Sequence, residues 1–216
     1  MQHMPHIKNV LLLGSKSPSR QKLLQEAKVP FTLVEQDVDE TKCDWALPLE
    51  QVVESIALYK MQHLILPQGK EGDHCFVLTA DTLSQDHEGG INGKPVDRAD
   101  AFVKIKGARK GSRLVTAFCL DKKVFVDGAW SIEKRIIQCE SAQYEFIIPD
   151  HWIDIYLDNS LGLSASNAIA IEDFGSQFLK VMHGSYSTIV GLPMYEVREA
   201  LESLGFFSFA ERPTKS

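Results

Sequence analysis

Six charged residues stand apart in the sequence, because most of them fall in predicted loops or at the ends of predicted elements. They are Arg20, Glu40, Lys60, Asp81, Lys94 and Glu172. Taken singly, such a residue is more often an ordinary surface charge than a functional group. Taken together, carboxylates can hold a divalent metal ion and activate water, while lysine and arginine neutralise phosphate oxygens. The set therefore indicates hydrolysis of a metal-bound polyphosphate.

The segment 10–24 would supply a phosphate-binding loop. An apolar run at 10–13 predicts a buried strand, 14–17 a tight loop, and Pro18 the first residue of a helix. Backbone N–H groups at such a helix start can hold an anion, and the side chains of Ser15, Ser17 and Arg20 surround this one. An ordinary helix start, capped by Ser17 with Pro18 in the first position, explains the same residues equally well.

The remaining pattern predicts an α/β protein with an antiparallel section. Strands are expected at 31–34 and 75–78, and helices at 48–66 and 97–108. Long antiparallel strands are expected within 113–148, with a hairpin turn at Asp127 and Gly128. Helices at 149–159 and 193–204 flank a glycine-interrupted region, 161–181, in which short strands are expected. Asp81 is thereby placed at the carboxyl end of a central strand, where open α/β sheets bind ligands.

Composition excludes several classes of function. With 216 residues, 44% hydrophobic and 24% charged, the chain reads as one soluble unit, 1–216, with no separable linker. A net charge of −6 argues against binding to a nucleic-acid polymer or a membrane surface. The four scattered cysteines favour free thiols in a reducing cytoplasm, and no targeting segment is apparent. Neither a Walker loop nor a serine-hydrolase elbow is present, and the histidines lack metal-site spacing.

Several short motifs occur in an order that resembles the Maf-like nucleoside triphosphate pyrophosphatases. The matching segments are Ser-Lys-Ser-Pro-Ser-Arg at 15–20 with Leu23 and Leu24, the acidic turn at 37–41, Ala57 with Lys60, Ala-Asp-Thr at 80–82, Gly-Lys-Pro at 93–95, Thr116, and 184–193. Each motif alone is weak. Their shared order over nearly the whole chain makes the resemblance specific.

The resemblance implies a strongly twisted mixed sheet with flanking helices, in two interwoven lobes around a cleft, of the Maf and inosine-triphosphatase type. It implies hydrolysis of a nucleoside triphosphate to the monophosphate and pyrophosphate, which would remove non-standard or modified nucleotides. It also implies a divalent cofactor, Mg²⁺ or Mn²⁺, and a cytoplasmic homodimer.

Roles for individual residues follow from the same resemblance. Asp81 matches the proton acceptor, and Glu40 with Asp81 would bind the metal ion. The phosphate-binding groups would be Ser15, Ser17, Arg20, Lys60 and Lys94. Substrate discrimination would lie with Ser19, Thr82 and Glu172.

The expected base is a purine or a modified purine. Glu172 resembles the branch that acts on 7-methylguanosine triphosphate, whereas Thr82 resembles the branch that acts on thymidine and uridine triphosphates. A carboxylate can accept two hydrogen bonds from a guanine edge, which favours the purine.

Two departures from the family pattern leave another function open. Ser19 stands where the family has the first arginine of a pair, and 164–173 replaces a family segment that reads Asp-Lys-Ala-Gly-Ala-Tyr-Gly-Ile-Gln-Gly. These changes would suit a catalytically weak nucleotide sensor or a cell-division regulator. Retention of Glu40, Lys60, Asp81 and Lys94 favours the enzyme, because the chemistry itself needs those groups.

Overall fold

The computed structural model describes residues 9–39 and 42–208. Glu40, predicted to be a catalytic and metal-binding residue, lies outside the described residues. The strands are β1 (Leu11–Leu13), β2 (Phe31–Leu33), β3 (Glu35–Gln36), β4 (Leu64–Ile65), β5 (His74–Asp86), β6 (Ile91–Asn92), β7 (Ser112–Val126), β8 (Ala129–Phe146) and β9 (Leu179–His183). The α-helices are α1 (Pro18–Glu26), α2 (Leu49–Gln62), α3 (Arg98–Ala108), α4 (Ile153–Asn159), α5 (Tyr186–Val190) and α6 (Met194–Ser203).

Within the described residues, one mixed sheet of seven strands forms the centre of the fold. Its order is β2-β1-β5-β7-β8-β9, and the short strand β6 also pairs with β5. β1 is parallel to both of its neighbours, whereas β5, β7, β8 and β9 pair in antiparallel fashion. Strands β3 and β4 form a separate two-stranded ribbon. The expected α/β class, with a mixed sheet and flanking helices, is confirmed.

The hairpin predicted at residues 127 and 128 is also confirmed. Val126 pairs with Ala129, so that the two residues between them form the turn. Both turn residues are in the left-handed region, with φ of +52° at Asp127 and +79° at Gly128. An Asp-Gly pair is favoured in such two-residue turns because both positions need positive φ.

Two predicted boundaries were wrong, and the short strands predicted within 161–181 are present only in part, as the start of β9. The helix expected at 48–66 ends at Gln62, since residues 64 and 65 form β4 and pair with β3. Strand β5 runs through Asp86, so Asp81 lies well inside a long strand rather than at its carboxyl end. The region 161–181 contains three 3₁₀ helices, Gly162–Ser164, Ser166–Ala168 and Asp173–Phe178, before β9.

Helices cover both faces of the sheet, and this fixes which way the side chains of β5 project. Helix α2 packs against β5 and β7 through an apolar cluster that includes Ile56, Val115 and Ala117. Helices α1 and α6 share an apolar cluster with Leu78 and Phe118, which belong to the opposite face. Since successive strand residues point to opposite faces, Asp81 faces α2 and Thr82 faces α1. No helix among the described residues is both long and apolar enough to cross a membrane.

Candidate active site

The site lies where β1 ends and its neighbour β5 continues. The last residue of β1, Leu13, pairs with Leu78, and the next amide, that of Gly14, donates a hydrogen bond of 2.8 Å to the Leu78 carbonyl. β5 then runs on past Asp81, three residues further along, or about 10 Å at the usual strand rise. The end of the parallel ladder thus leaves this part of β5 next to the loop 14–17.

Helix α1 begins at this loop with a regular cap. The hydroxyl of Ser17 accepts a hydrogen bond from the backbone N–H of Arg20, and Pro18 occupies the first helical position. The backbone N–H of Ser17 in turn donates to the hydroxyl of Ser15 over 3.3 Å. The helix-cap interpretation of this segment is therefore confirmed. Phosphate binding by the same loop stays a prediction.

On the α2 face of β5, Asp81 and Lys60 form a buried ion pair. The ammonium nitrogen of Lys60 lies 2.6 Å from Oδ1 of Asp81, and the side chains are 7% and 10% exposed. The second carboxylate oxygen, Oδ2, is buried and has no hydrogen-bond partner among the described residues. An unpaired buried carboxylate oxygen is costly. Asp81 thus offers one acceptor to a ligand.

On the opposite face, the Arg20 side chain donates hydrogen bonds to three of the described residues. Its Nε donates to the Gly191 carbonyl over 2.7 Å, Nη1 to the Ser15 hydroxyl over 3.2 Å, and Nη2 to the Thr82 hydroxyl over 2.9 Å. Gly191 has φ of +117°, a conformation that residues with a side chain rarely adopt. The buried guanidinium is thereby fixed beside the helix start.

A cleft next to Arg20 brings together the residues predicted to select the substrate. It is lined by Ser17, Ser19, Arg20, Thr82, Leu114, Ser164, Ala165, Ser166, Ile169, Glu172, Ile189, Val190 and Gly191. The hydroxyl of Ser19 donates a hydrogen bond of 2.6 Å to Oε1 of Glu172, whose residue is only 6% exposed. Burial, together with the negative charge of Glu172, raises the pKa of the neighbouring Tyr186. The charge of the Glu172 carboxylate therefore acts on a neighbouring side chain, that of Tyr186.

The segment that carries Glu172 bends through left-handed positions. Asn167 has φ of +56° and Asp173 has φ of +49°. Both align with glycines of the family segment quoted above. Asn and Asp are the residues other than glycine that adopt this conformation most readily, so the backbone path survives the loss of the glycines.

The structure does not join every predicted residue to this site. Lys94 lies in the exposed loop between β6 and α3, and its ammonium makes no hydrogen bond or ion pair with a described residue. Glu40 is not described. Sequence reasoning gave no role to Thr116 or to the Gly191 carbonyl, although both belong to segments that match the family. Their contacts join residues far apart in the chain, which motif order alone does not reveal.

Comparison with known proteins assigns the chain to a family. The family model described as "Maf-like protein" matches residues 10–204. A dTTP/UTP pyrophosphatase from Caldicellulosiruptor bescii is 30% identical over 91% of this chain and 95% of its own length. A nucleoside triphosphate pyrophosphatase from Chlamydia pneumoniae is 30% identical over 90% of this chain and 93% of its own. A dTTP/UTP pyrophosphatase from Shewanella is 32% identical over 90% and 98%, respectively.

Proposed function

Because this chain belongs to the Maf family, we propose that it hydrolyses a nucleoside triphosphate between the α- and β-phosphates. The products would be the nucleoside monophosphate and pyrophosphate. The names of the relatives, dTTP/UTP pyrophosphatase and nucleoside triphosphate pyrophosphatase, support the reaction type. The observation that carries the proposal is the buried Asp81 carboxylate, which is ion-paired through one oxygen and unpaired at the other.

We propose that the nucleotide spans both faces of β5 at the end of β1. Its base would enter the cleft between Ser19 and Glu172, and its phosphates would pass over the loop 14–17 toward Asp81. Ser15, Ser17 and the helix start would bind phosphate oxygens, with positive charge from Arg20. This arrangement is supported by the projection of Asp81 and Thr82 to opposite faces of β5, beyond the end of β1.

Asp81 would act as the proton acceptor. A water molecule next to Oδ2 would attack the α-phosphorus and pass a proton to that oxygen as the bond to the β-phosphate breaks. The ammonium of Lys60, 2.6 Å from Oδ1, would hold the carboxylate in place for this step. Negative charge on the departing pyrophosphate would be stabilised by Arg20 and by Lys94, whose exposed loop leaves it accessible to substrate.

A divalent ion would arrive with the substrate and be held partly by its phosphates. No group of three or more His, Cys, Asp or Glu side chains suited to a metal exists among residues 9–39 and 42–208. Mg²⁺ is commonly held by one or two carboxylates together with substrate phosphates, and one lone pair of Asp81 Oδ2 would bind the ion while the other takes the proton from water. Glu40 would supply the second carboxylate. Bound there, Mg²⁺ or Mn²⁺ would neutralise phosphate charge and lower the pKa of water.

The base would be a purine or a modified purine. Oε1 of Glu172 already accepts from Ser19, and a carboxylate cannot donate a hydrogen bond. Uracil and thymine offer one N–H between two carbonyl oxygens, and a carboxylate repels the latter. Guanine and 7-methylguanine present two adjacent N–H donors, which suit a carboxylate better. The names of two of the relatives favour a pyrimidine instead, so dTTP and UTP are the competing substrates.

Pyrophosphate release tests the proposal. Wild type and Asp81→Asn would be assayed with Mg²⁺ and then Mn²⁺ against GTP, 7-methyl-GTP, ITP, ATP, CTP, UTP and dTTP. Release that needs both the metal ion and Asp81 supports the enzyme, and the base preference should move toward UTP in Glu172→Gln. Nucleotide binding without release from any substrate would support the sensor or cell-division regulator. Turnover of pyrimidine nucleotides alone would refute the purine preference.

A homodimer in the cytoplasm remains a prediction from sequence. Light scattering coupled to size-exclusion chromatography would test the dimer directly. A mass twice that of the chain supports it, and a monomer at micromolar concentration contradicts it.

A further inference from the structure

Four hydroxyl and carbonyl groups next to Arg20 form a hydrogen-bond network. The backbone between residues 188 and 191 closes this network into a ring. Nη2 of Arg20 donates to the Thr82 hydroxyl, which lies 2.9 Å from the Thr116 hydroxyl. Thr116 donates over 2.8 Å to the backbone carbonyl of Thr188. Three residues further along, the Gly191 carbonyl accepts from Nε of Arg20, so the chain of contacts returns to its start. It connects α1, β5, β7 and the end of α5.

The direction of every hydrogen bond in this chain is fixed by chemistry. A guanidinium only donates and a carbonyl only accepts. Thr116 therefore donates its one hydroxyl proton to the Thr188 carbonyl. The proton between the two threonines then comes from Thr82. The order Arg20 to Thr82, Thr82 to Thr116, and Thr116 to Thr188 is the one in which the buried Thr188 carbonyl keeps its donor.

This direction restricts what Thr82 can do for a nucleotide. Its proton is already committed to Thr116, and one of its two lone pairs is occupied by Arg20. The hydroxyl therefore cannot donate to a carbonyl oxygen of a bound base. Its contact with the guanidinium instead sets the orientation of the Arg20 side chain.

The burial of these hydrogen-bonded groups favours a role in positioning Arg20. Thr116 and Thr188 are 0% and 1% exposed, so no solvent replaces a lost contact. The Thr188 carbonyl belongs to a helix of five residues, whose end leaves carbonyls without a helical donor. Thr116 satisfies that carbonyl and at the same time accepts from Thr82.

We propose that Thr116 is a positioning residue which, through Thr82, aligns the Arg20 guanidinium for the phosphates, and that Thr82 does not read the base as a donor. The phosphate role of Arg20 rests on the proposed function. The hydrogen-bond direction does not, so binding of inorganic pyrophosphate offers a test that is independent of turnover.

The test compares Thr116→Val, which keeps shape and removes the hydroxyl, with Thr116→Ser, which restores the hydroxyl. In Thr116→Val we expect the KM of each nucleotide and the Kd of pyrophosphate to rise about 5- to 10-fold, the effect of one lost hydrogen bond. The kcat and the ratio of kcat/KM between bases should change less than about twofold. Thr116→Ser should return both constants to within about twofold of wild type.

Thr79→Val is the matched control. The Thr79 hydroxyl is also fully buried in the sheet and donates to a helix carbonyl, that of Ala57, over 2.7 Å, but it has no contact with Arg20. We expect this variant to lose stability as Thr116→Val does while keeping its pyrophosphate Kd. An equal rise of Kd in both variants would mean a general effect of the lost hydroxyl and would overturn the proposal.

Thr82→Val separates positioning from base reading. If Thr82 only positions Arg20, Thr82→Val raises the KM equally for nucleotides of all bases. Adding Thr116→Val then has no further effect, because both substitutions interrupt the same hydrogen-bond network. A shift of the purine-to-pyrimidine ratio in Thr82→Val alone would refute the account. Absence of pyrophosphate release by wild type would defeat the proposed function, while the pyrophosphate Kd values would still decide this inference.

Discussion

Replacing Lys60 by Met probes the buried ion pair that the proposed mechanism depends on. Methionine fills a similar volume but leaves the Asp81 carboxylate buried, 7% exposed at the residue level, without the ammonium now 2.6 Å away. Breaking a buried pair by removing one partner typically costs about 3–5 kcal/mol of unfolding free energy. For a chain of this length, that corresponds to a fall in Tm of about 6–20 °C.

Urea denaturation would measure the effect. Lys60→Met together with Asp81→Asn should recover much of the loss, and comparison with the single variant isolates the contribution of Asp81 from other contacts of Lys60. Lys180→Met, which breaks an exposed pair with Glu145, is the control and should cost about 1 kcal/mol or less. A loss in Lys60→Met that Asp81→Asn leaves unchanged would show that the buried carboxylate is not its cause.

Three further predictions concern the thiols, the loop of Glu172 and Lys94. Burial raises the pKa of Cys75 to about 11 and of Cys119 and Cys139 to about 12. Iodoacetamide at pH 8, followed by mass spectrometry, should modify these three at least about 100-fold more slowly in the folded protein than in urea; equal rates would contradict their burial. At Asp173, glycine should give a protein about 1–2 kcal/mol more stable than valine in urea denaturation, because φ is +49°; valine at least as stable would exclude this backbone path. Lys94→Ala should raise the KM for the nucleotide without changing Tm, since its exposed ammonium contacts no described residue, and an unchanged KM would remove it from the substrate site.

Most of the helices and strands could be predicted because a few neighbouring residues indicate each of them. The short apolar run of β1, the Ser-Pro start of α1 and the Asp-Gly hairpin each depend on a few neighbouring residues. The end of β5 does not depend on neighbouring residues alone. Its apolar run ends near Leu78, but pairing with β7 extends the strand to Asp86, and a partner strand is not visible in the sequence of β5 itself.

Motif order grouped several residues that the structure places together, whereas their geometry was not predictable. The sequence grouped Ser19 with Glu172, which are 153 positions apart, only through family resemblance. It could not show that Asp81 and Thr82 serve opposite faces of the sheet, because that depends on where β1 stops relative to β5. The contact between Arg20 and Gly191, 171 positions apart, likewise needs the tertiary fold.

Hydrolysis in water enriched in ¹⁸O would show which phosphorus the water attacks. Attack at the α-phosphorus puts one ¹⁸O atom in the nucleoside monophosphate and none in the pyrophosphate, and Asp81→Asn should give no product above background. Label in the pyrophosphate, or release of labelled orthophosphate from the nucleotide, would contradict attack at the α-phosphorus.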